Sequence, residues 1–185
     1  EVTIPSSVTE IGKEWFYGCT GLKKMELPAN ITSVGESVFS DCSSMESITL
    51  PAKLKVIPSN MFSGCSSLVK IEIPEGVTEI DGYAFRGCTN LQELKLPDSL
   101  EKFGYRTFES CSALTGVVIP DKVTSLPGEM FFKCEKLKYV VVPAGLTSIK
   151  NNPWNGTSVN VNIRFKGSPK QWEKISGINN FSSWK

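Results

Sequence analysis

The sequence predicts a repeat protein of the α/β type: a right-handed solenoid with a parallel β-sheet along one face and short extended segments and 3₁₀ or helical turns elsewhere. Three observations carry this expectation. Cysteine recurs every 23 residues, at Cys19, Cys42, Cys65, Cys88, Cys111 and Cys134. Proline keeps the same step at Pro5, Pro28, Pro51, Pro74, Pro97, Pro120 and Pro143, and so does phenylalanine at Phe16, Phe39, Phe62, Phe85, Phe108 and Phe131. Apolar columns run between them, among them Leu22, Met45, Leu68, Leu91, Leu114 and Leu137. One such unit cannot bury its apolar side alone, so stacked copies must share a continuous core. Parallel crossovers are right-handed in nearly all cases, which sets the expected hand.

The elements follow in order around one coil. In "LVKIEIP", Ile71, Glu72 and Ile73 alternate apolar and polar, the period of a short half-buried strand. Equivalent strands are expected at Val2, Met25, Ile48, Ile71, Leu94, Val117, Val140 and Ile163. Eight of them at the strand spacing of about 4.8 Å form one sheet roughly 35 Å long. Proline follows each strand and, lacking an N–H, ends it at the same point in every coil. "EGVTEIDG" then supplies a second extended stretch with Val77 and Ile80 inward, closed by Gly, Asp or Pro turn chemistry. From there to Phe-x-x-Cys the chain is expected to make a compact helical or 3₁₀ turn, too short for a free-standing helix.

The cysteine and phenylalanine columns are read as packing. Equivalent cysteines stack about 5 Å apart, but parallel in-register side chains keep their Cβ atoms too far apart for good disulfide geometry. No C-x-x-C spacing is present. All six thiols are therefore expected to be reduced and buried as small apolar groups, beside a stacked aromatic spine.

The run "LVKIEIPEGVTEIDGYAFRGC" from Leu68 to Cys88 resembles the BspA-like leucine-rich repeats of bacterial surface proteins, close to "LxxIxIPxxVTxIGxxAFxxC" throughout. The resemblance holds without insertion from residue 1 to about residue 150, the expected leucine-rich-repeat solenoid. Residues 151–185 are expected to form a last degenerate coil and a C-terminal cap. There Pro153-Trp154 breaks the pattern, the cysteine position becomes Thr157, and "IRFKGSPKQWEKISGINNFSSWK" resembles the strand, Gly-[Ser/Thr]-x-x-x-Trp and short helix that close such arrays. Trp172, Ile175 and Ile178 are expected to share a face over Trp154 and Ile163. One departure concerns the asparagine ladder of the better-known eukaryotic repeats: its position holds Asn30, Lys53, Gly76, Ser99 and Lys122. The ladder is expected to be absent, with cysteine in its place.

Composition narrows the function. The chain has 20 basic and 19 acidic residues, a net charge of +1, which argues against an electrostatic grip on nucleic acid or anionic lipid. Histidine is absent, removing the common general base and metal ligand. No phosphate loop of the G-x-x-x-x-G-K-[ST] type occurs, so no cofactor and no metal are expected. No apolar run approaches the roughly 18 residues of a membrane span, and no signal peptide opens the chain. Secretion or cell-surface display is expected from the resemblance alone. "NGT" at Asn155 and "NFS" at Asn180 match the glycosylation acceptor pattern and are read as chance.

Outward positions on the strand face are not dictated by packing. Lys70 should neighbour Glu93, and Glu72 should neighbour Lys95, as cross-strand ion pairs. Val118, Tyr139 and Val141 form an apolar group toward the C-terminal end. These seven residues are the candidate partner-binding positions. Two classes of function are weighed. The first is a non-catalytic binding module, monomeric, recognising a protein, with a glycan as the other ligand class; the resemblance implies adhesion at a host or cell surface. The alternative is a structural spacer within a larger surface protein. A carbohydrate hydrolase would need two carboxylates about 5–10 Å apart in a pocket; Glu72 and Glu93 are the pair to consider, and each is expected to face a lysine on an open surface.

Overall fold

The computed structural model describes residues 2–157 and 161–177. In chain order the strands are β1 (Glu10–Ile11), β2 (Lys24–Glu26), β3 (Ser33–Val34), β4 (Ser47–Thr49), β5 (Val56–Ile57), β6 (Lys70–Glu72) and β7 (Glu79–Ile80). Then come β8 (Glu93–Lys95), β9 (Lys102–Phe103), β10 (Gly116–Val118), β11 (Ser125–Leu126), β12 (Tyr139–Val142), β13 (Ser148–Ile149) and β14 (Asn162–Phe165). Even-numbered strands make the broad strand face and odd-numbered strands a second face. Every pairing between these strands is parallel and shifted by one repeat, as in Lys70↔Glu93, Ile71↔Leu94 and Glu72↔Lys95. The chain is therefore a leucine-rich-repeat solenoid. Alternation puts Ile71 and Val117 into the core and leaves Glu72 and Val118 outside.

Two details of the expected sheet need correction. The segment around Val2 forms no strand, and Val2 is exposed. The strand face is also not one continuous sheet. It is zipped as β2-β4, as β6-β8 and as β10-β12-β14, with no ladder joining β4 to β6 or β8 to β10 among the described residues.

The third side of the coil holds the stack together more continuously. Backbone N–H groups there donate to the next coil: Phe16 to Val38, Phe39 to Met61, Phe62 to Ala84, Phe85 to Thr107, Phe108 to Met130 and Phe131 to Pro153, at 2.7–3.0 Å. The compact turn suggested by the sequence takes the form of separate single turns with 3₁₀-type bonds, such as Cys65 N–H to the Phe62 carbonyl and Leu68 N–H to the Cys65 carbonyl, both at 3.1 Å. Glu14, Ser37, Asn60, Tyr83, Arg106 and Glu129 all have positive φ, and so do Gly18, Asp41, Gly64, Gly87, Ser110 and Lys133 four residues later. Two left-handed residues per coil reverse the backbone screw before a helix can propagate, leaving single turns.

Phenylalanine fills the centre. From Phe16 to Phe131 successive rings stack at centroid distances of 5.3–5.9 Å. Beside them the cysteines form a second ladder. The thiols of Cys42, Cys65, Cys88, Cys111 and Cys134 each donate to the carbonyl of the phenylalanine 26 residues earlier, at 3.0–3.1 Å. All six cysteines are free thiols, but only five are buried. Cys19 is exposed, so the expectation of six buried thiols fails at this copy. Burial pushes the Cys134 thiol up to about 12 and raises Cys65 and Cys88 as well. The asparagine position is not wholly silent either: Asn30 donates to the Val8 carbonyl at 2.7 Å and Ser99 to the Val77 carbonyl at 2.7 Å.

At the C-terminal end β14 is followed by α1 (Pro169–Trp172), a single turn. Its boundary is set by a capping box between Ser168 and Gln171 with proline in the first turn. Trp172 packs on Phe165 at 5.1 Å between ring centroids, while Ile175 and Trp154 are buried and Ile163 is partly so. Ser176 donates to the Thr147 carbonyl and accepts from the Ile149 N–H, so the chain returns alongside β13. Ile178 and Asn180 lie outside the described residues.

Candidate functional site

On the strand face, strand pleating turns every second side chain outward. A groove of about 830 Å³ crosses β4, β6, β8 and β10. It is lined by Lys70, Glu72, Glu93, Lys95 and Tyr139 together with Ile48 and Leu94. Ile48 and Leu94 belong to the inward column yet are only partly buried. They surface where the ladder is interrupted, between β4 and β6 and between β8 and β10. The charged walls follow from the outward positions of the paired strands β6 and β8, and the apolar floor from the parting of neighbouring strands.

The charged pairs differ from each other. Lys95 Nζ donates to Glu72 Oε1 at 2.6 Å, an exposed pair. That hydrogen bond lowers the Glu72 carboxyl from its ordinary value and raises Lys95. Lys70 and Glu93 are register partners, but no ion pair joins them among the described residues. A carboxyl that donates a proton to a glycosidic oxygen must be held protonated, so its pKa has to rise. Glu72 is shifted the opposite way.

A smaller hollow of about 290 Å³ continues the groove past β8, lined by Lys95, Val118 and Tyr139 and closed by Asp121 and Lys166. Lys166 Nζ and Asp121 Oδ1 pair at 2.6 Å. Val118 is 52% exposed and Tyr139 36%. Val141 is only partly exposed and lines neither hollow. Six of the seven candidate positions therefore meet along one continuous depression, and Val141 stands beside it.

Sequence reasoning missed how Tyr139 is seated. Its Cα partner on β10 is Gly116, and a methyl group at Gly116 would overlap the Tyr139 ring. Glycine inside a strand signals a close approach of this kind. Arg164 of β14 covers the ring from the other side at 5.4 Å. The tyrosine is a flat, pinned platform between two coils.

A second cluster sits on the turn side. Arg106 lies over the rings of Phe132 at 4.7 Å and Tyr105 at 5.2 Å. It donates through Nε to Glu129 Oε2 at 2.6 Å and pairs with Glu109 at 3.4 Å. Tyr105 donates to the same Glu129 carboxylate, and Tyr83 meets Tyr105 edge-on at 5.8 Å. Hydrogen bonds from Tyr105 and Arg106 lower the Glu129 carboxyl from its ordinary value. These groups satisfy one another, which is the arrangement of a stabilising network.

Comparison with known proteins adds the following. The description "BspA type Leucine rich repeat region" matches six copies over residues 1–112 and 67–176. No curated protein matches the chain. Among solved structures, a leucine-rich cell surface protein of Faecalibacterium prausnitzii A2-165 is 26% identical with a TM-score of 0.66, over 95% of this chain and 56% of its own. A leucine-rich repeat protein of Bacteroides ovatus is 26% identical with a TM-score of 0.63, over 81% of this chain and 45% of its own. The leucine-rich repeat protein of T. pallidum is 26% identical with a TM-score of 0.57, over 85% of this chain and 66% of its own. The chain thus spans about half the length of the first two.

Proposed function

The chain belongs to the BspA-type leucine-rich repeat family, and from that premise we propose that it is a non-catalytic binding module of a bacterial surface protein that holds a protein partner on its strand face. The observation that carries this reading is the groove of about 830 Å³, which sets Ile48, Leu94 and the pinned ring of Tyr139 among Lys70, Glu72, Glu93 and Lys95. An apolar and aromatic centre with a charged rim is the anatomy of a protein contact site. Surface display and an adhesive role draw support from the family and from the cell-surface neighbour. Rigid stacked coils also provide a long surface that needs no moving parts.

The test is capture of the purified chain on an immobilised panel of serum and extracellular-matrix proteins, with Tyr139→Ser/Val118→Ser beside it. Both side chains point out of the core, so the double variant should keep its melting temperature. Its affinity for whichever protein the parent captures should drop on the order of tenfold or more, as for loss of an aromatic anchor. Unaltered capture by a folded variant moves the site to the edge bearing Tyr83 and Tyr105. A parent that captures nothing supports the spacer reading instead.

A further inference from the structure

The net charge of +1 conceals a division along the rod. Residues 1–129 carry 17 acidic and 11 basic side chains, a net of −6; residues 130–185 carry two acidic and nine basic, a net of +7. In the described part of that basic region, Lys133, Lys136, Lys138, Lys150, Arg164, Lys166, Lys170 and Lys174 are all exposed. Only Lys166 has an ion-pair partner there among the described residues. Elsewhere cations are tied more often to carboxylates, as at Lys13, Arg86, Lys95 and Arg106. Folding does not account for unpaired like charges gathered within the last coils, where they repel one another.

Their placement identifies the partner. Lys138 immediately precedes β12 and Arg164 lies on the outer face of β14, both on the strand side. Lys150 immediately follows β13 on the second side. Lys133 stands at the Phe132 ring on the turn side. The cations therefore ring the C-terminal end of the rod. A flat bilayer or a stiff duplex would reach one side of such a ring; a flexible chain can follow it round. Single-stranded nucleic acid would also need open aromatic faces for stacking, yet Arg164 covers the Tyr139 ring and Trp172 is turned against Phe165. We propose that the C-terminal end of the solenoid is a docking site for a linear anionic polysaccharide, adjoining the groove at Tyr139 and Lys166.

Retention on immobilised heparin, a sulfated polysaccharide, tests the proposal. The parent chain should bind at low salt, with log Kd rising linearly with log salt concentration as displaced counterions require. Lys138→Glu/Lys150→Glu/Lys174→Glu should lower affinity about tenfold or more. Lys53→Glu/Lys102→Glu, the same kind of reversal on exposed sites of the acidic part, should change it far less. Circular dichroism melts confirm that both variants are folded. No retention of the parent overturns the proposal, as does equal loss in the two variants. Equal or tighter binding to a single-stranded oligonucleotide or to anionic phosphatidylserine vesicles overturns the polysaccharide assignment.

Discussion

Cys19 and Cys88 occupy the same position in their coils, yet their chemistry diverges. Cys88 is fully buried, its thiol held by the Phe62 carbonyl at 3.1 Å and its pKa raised by burial. Cys19 is exposed. Since the thiolate is the nucleophile, a maleimide at neutral pH should label one thiol in the native chain, mapped to Cys19, and all six in denaturant. Labelling of two or more, or of none, would contradict the burial pattern. The sequence carried the cysteine column but could not distinguish Cys19 from the other members, because a periodic pattern assigns every copy the same burial. Residue identity hid another feature as well. Gly18, Gly64 and Gly87 signal positive φ, whereas Tyr83, Arg106 and Glu129 share the left-handed conformation without any compositional sign of it. Those residues are held there by the ladder between coils and are outside what local preference encodes.

Within the coil, each element has a legible cause: alternation makes the strand, proline stops it, and the phenylalanine fills the space between. Phe85 is fully buried and stacked on both Phe62 and Phe108, at 5.4 and 5.6 Å. Phe85→Ala should therefore cost about 3–5 kcal/mol, measured as a shift of the urea midpoint at unchanged slope. A near-neutral result would mean that the column does not support the core. The groove on the strand face was legible only by half. Outward positions follow from strand parity, which is why Lys70, Glu72, Glu93, Lys95, Val118 and Tyr139 were found. Its floor was not, because Ile48 and Leu94 belong to the inward column and surface only where neighbouring strands part. Hydrogen-bond continuity between copies of one motif depends on the whole stack, and one coil's sequence does not report it.

For the whole molecule, the number of coils and their common register follow from the uninterrupted 23-residue step, while the ends need separate explanation. We read residues 151–185 as the last coil and cap of the array. Ile175 is buried, and Ser176 bonds to both Thr147 and Ile149. A solenoid end left uncovered offers apolar surface and unpaired backbone. Deleting residues 166–185 should lower Tm by roughly 5 °C or more, the equivalent of about 2 kcal/mol in a chain of this size, and should yield oligomers by size-exclusion chromatography. An equally stable monomer would make the segment a tail and not a cap. The two long sides of the stack also differ in kind. The turn side is bonded from the first coil to the last, whereas the strand side is bonded in three blocks. A body stapled along one side and slit along the other bends like a book about its binding. The two breaks, at β4/β6 and β8/β10, both fall under the groove, so its floor is the part of the strand side with the fewest bonds between coils.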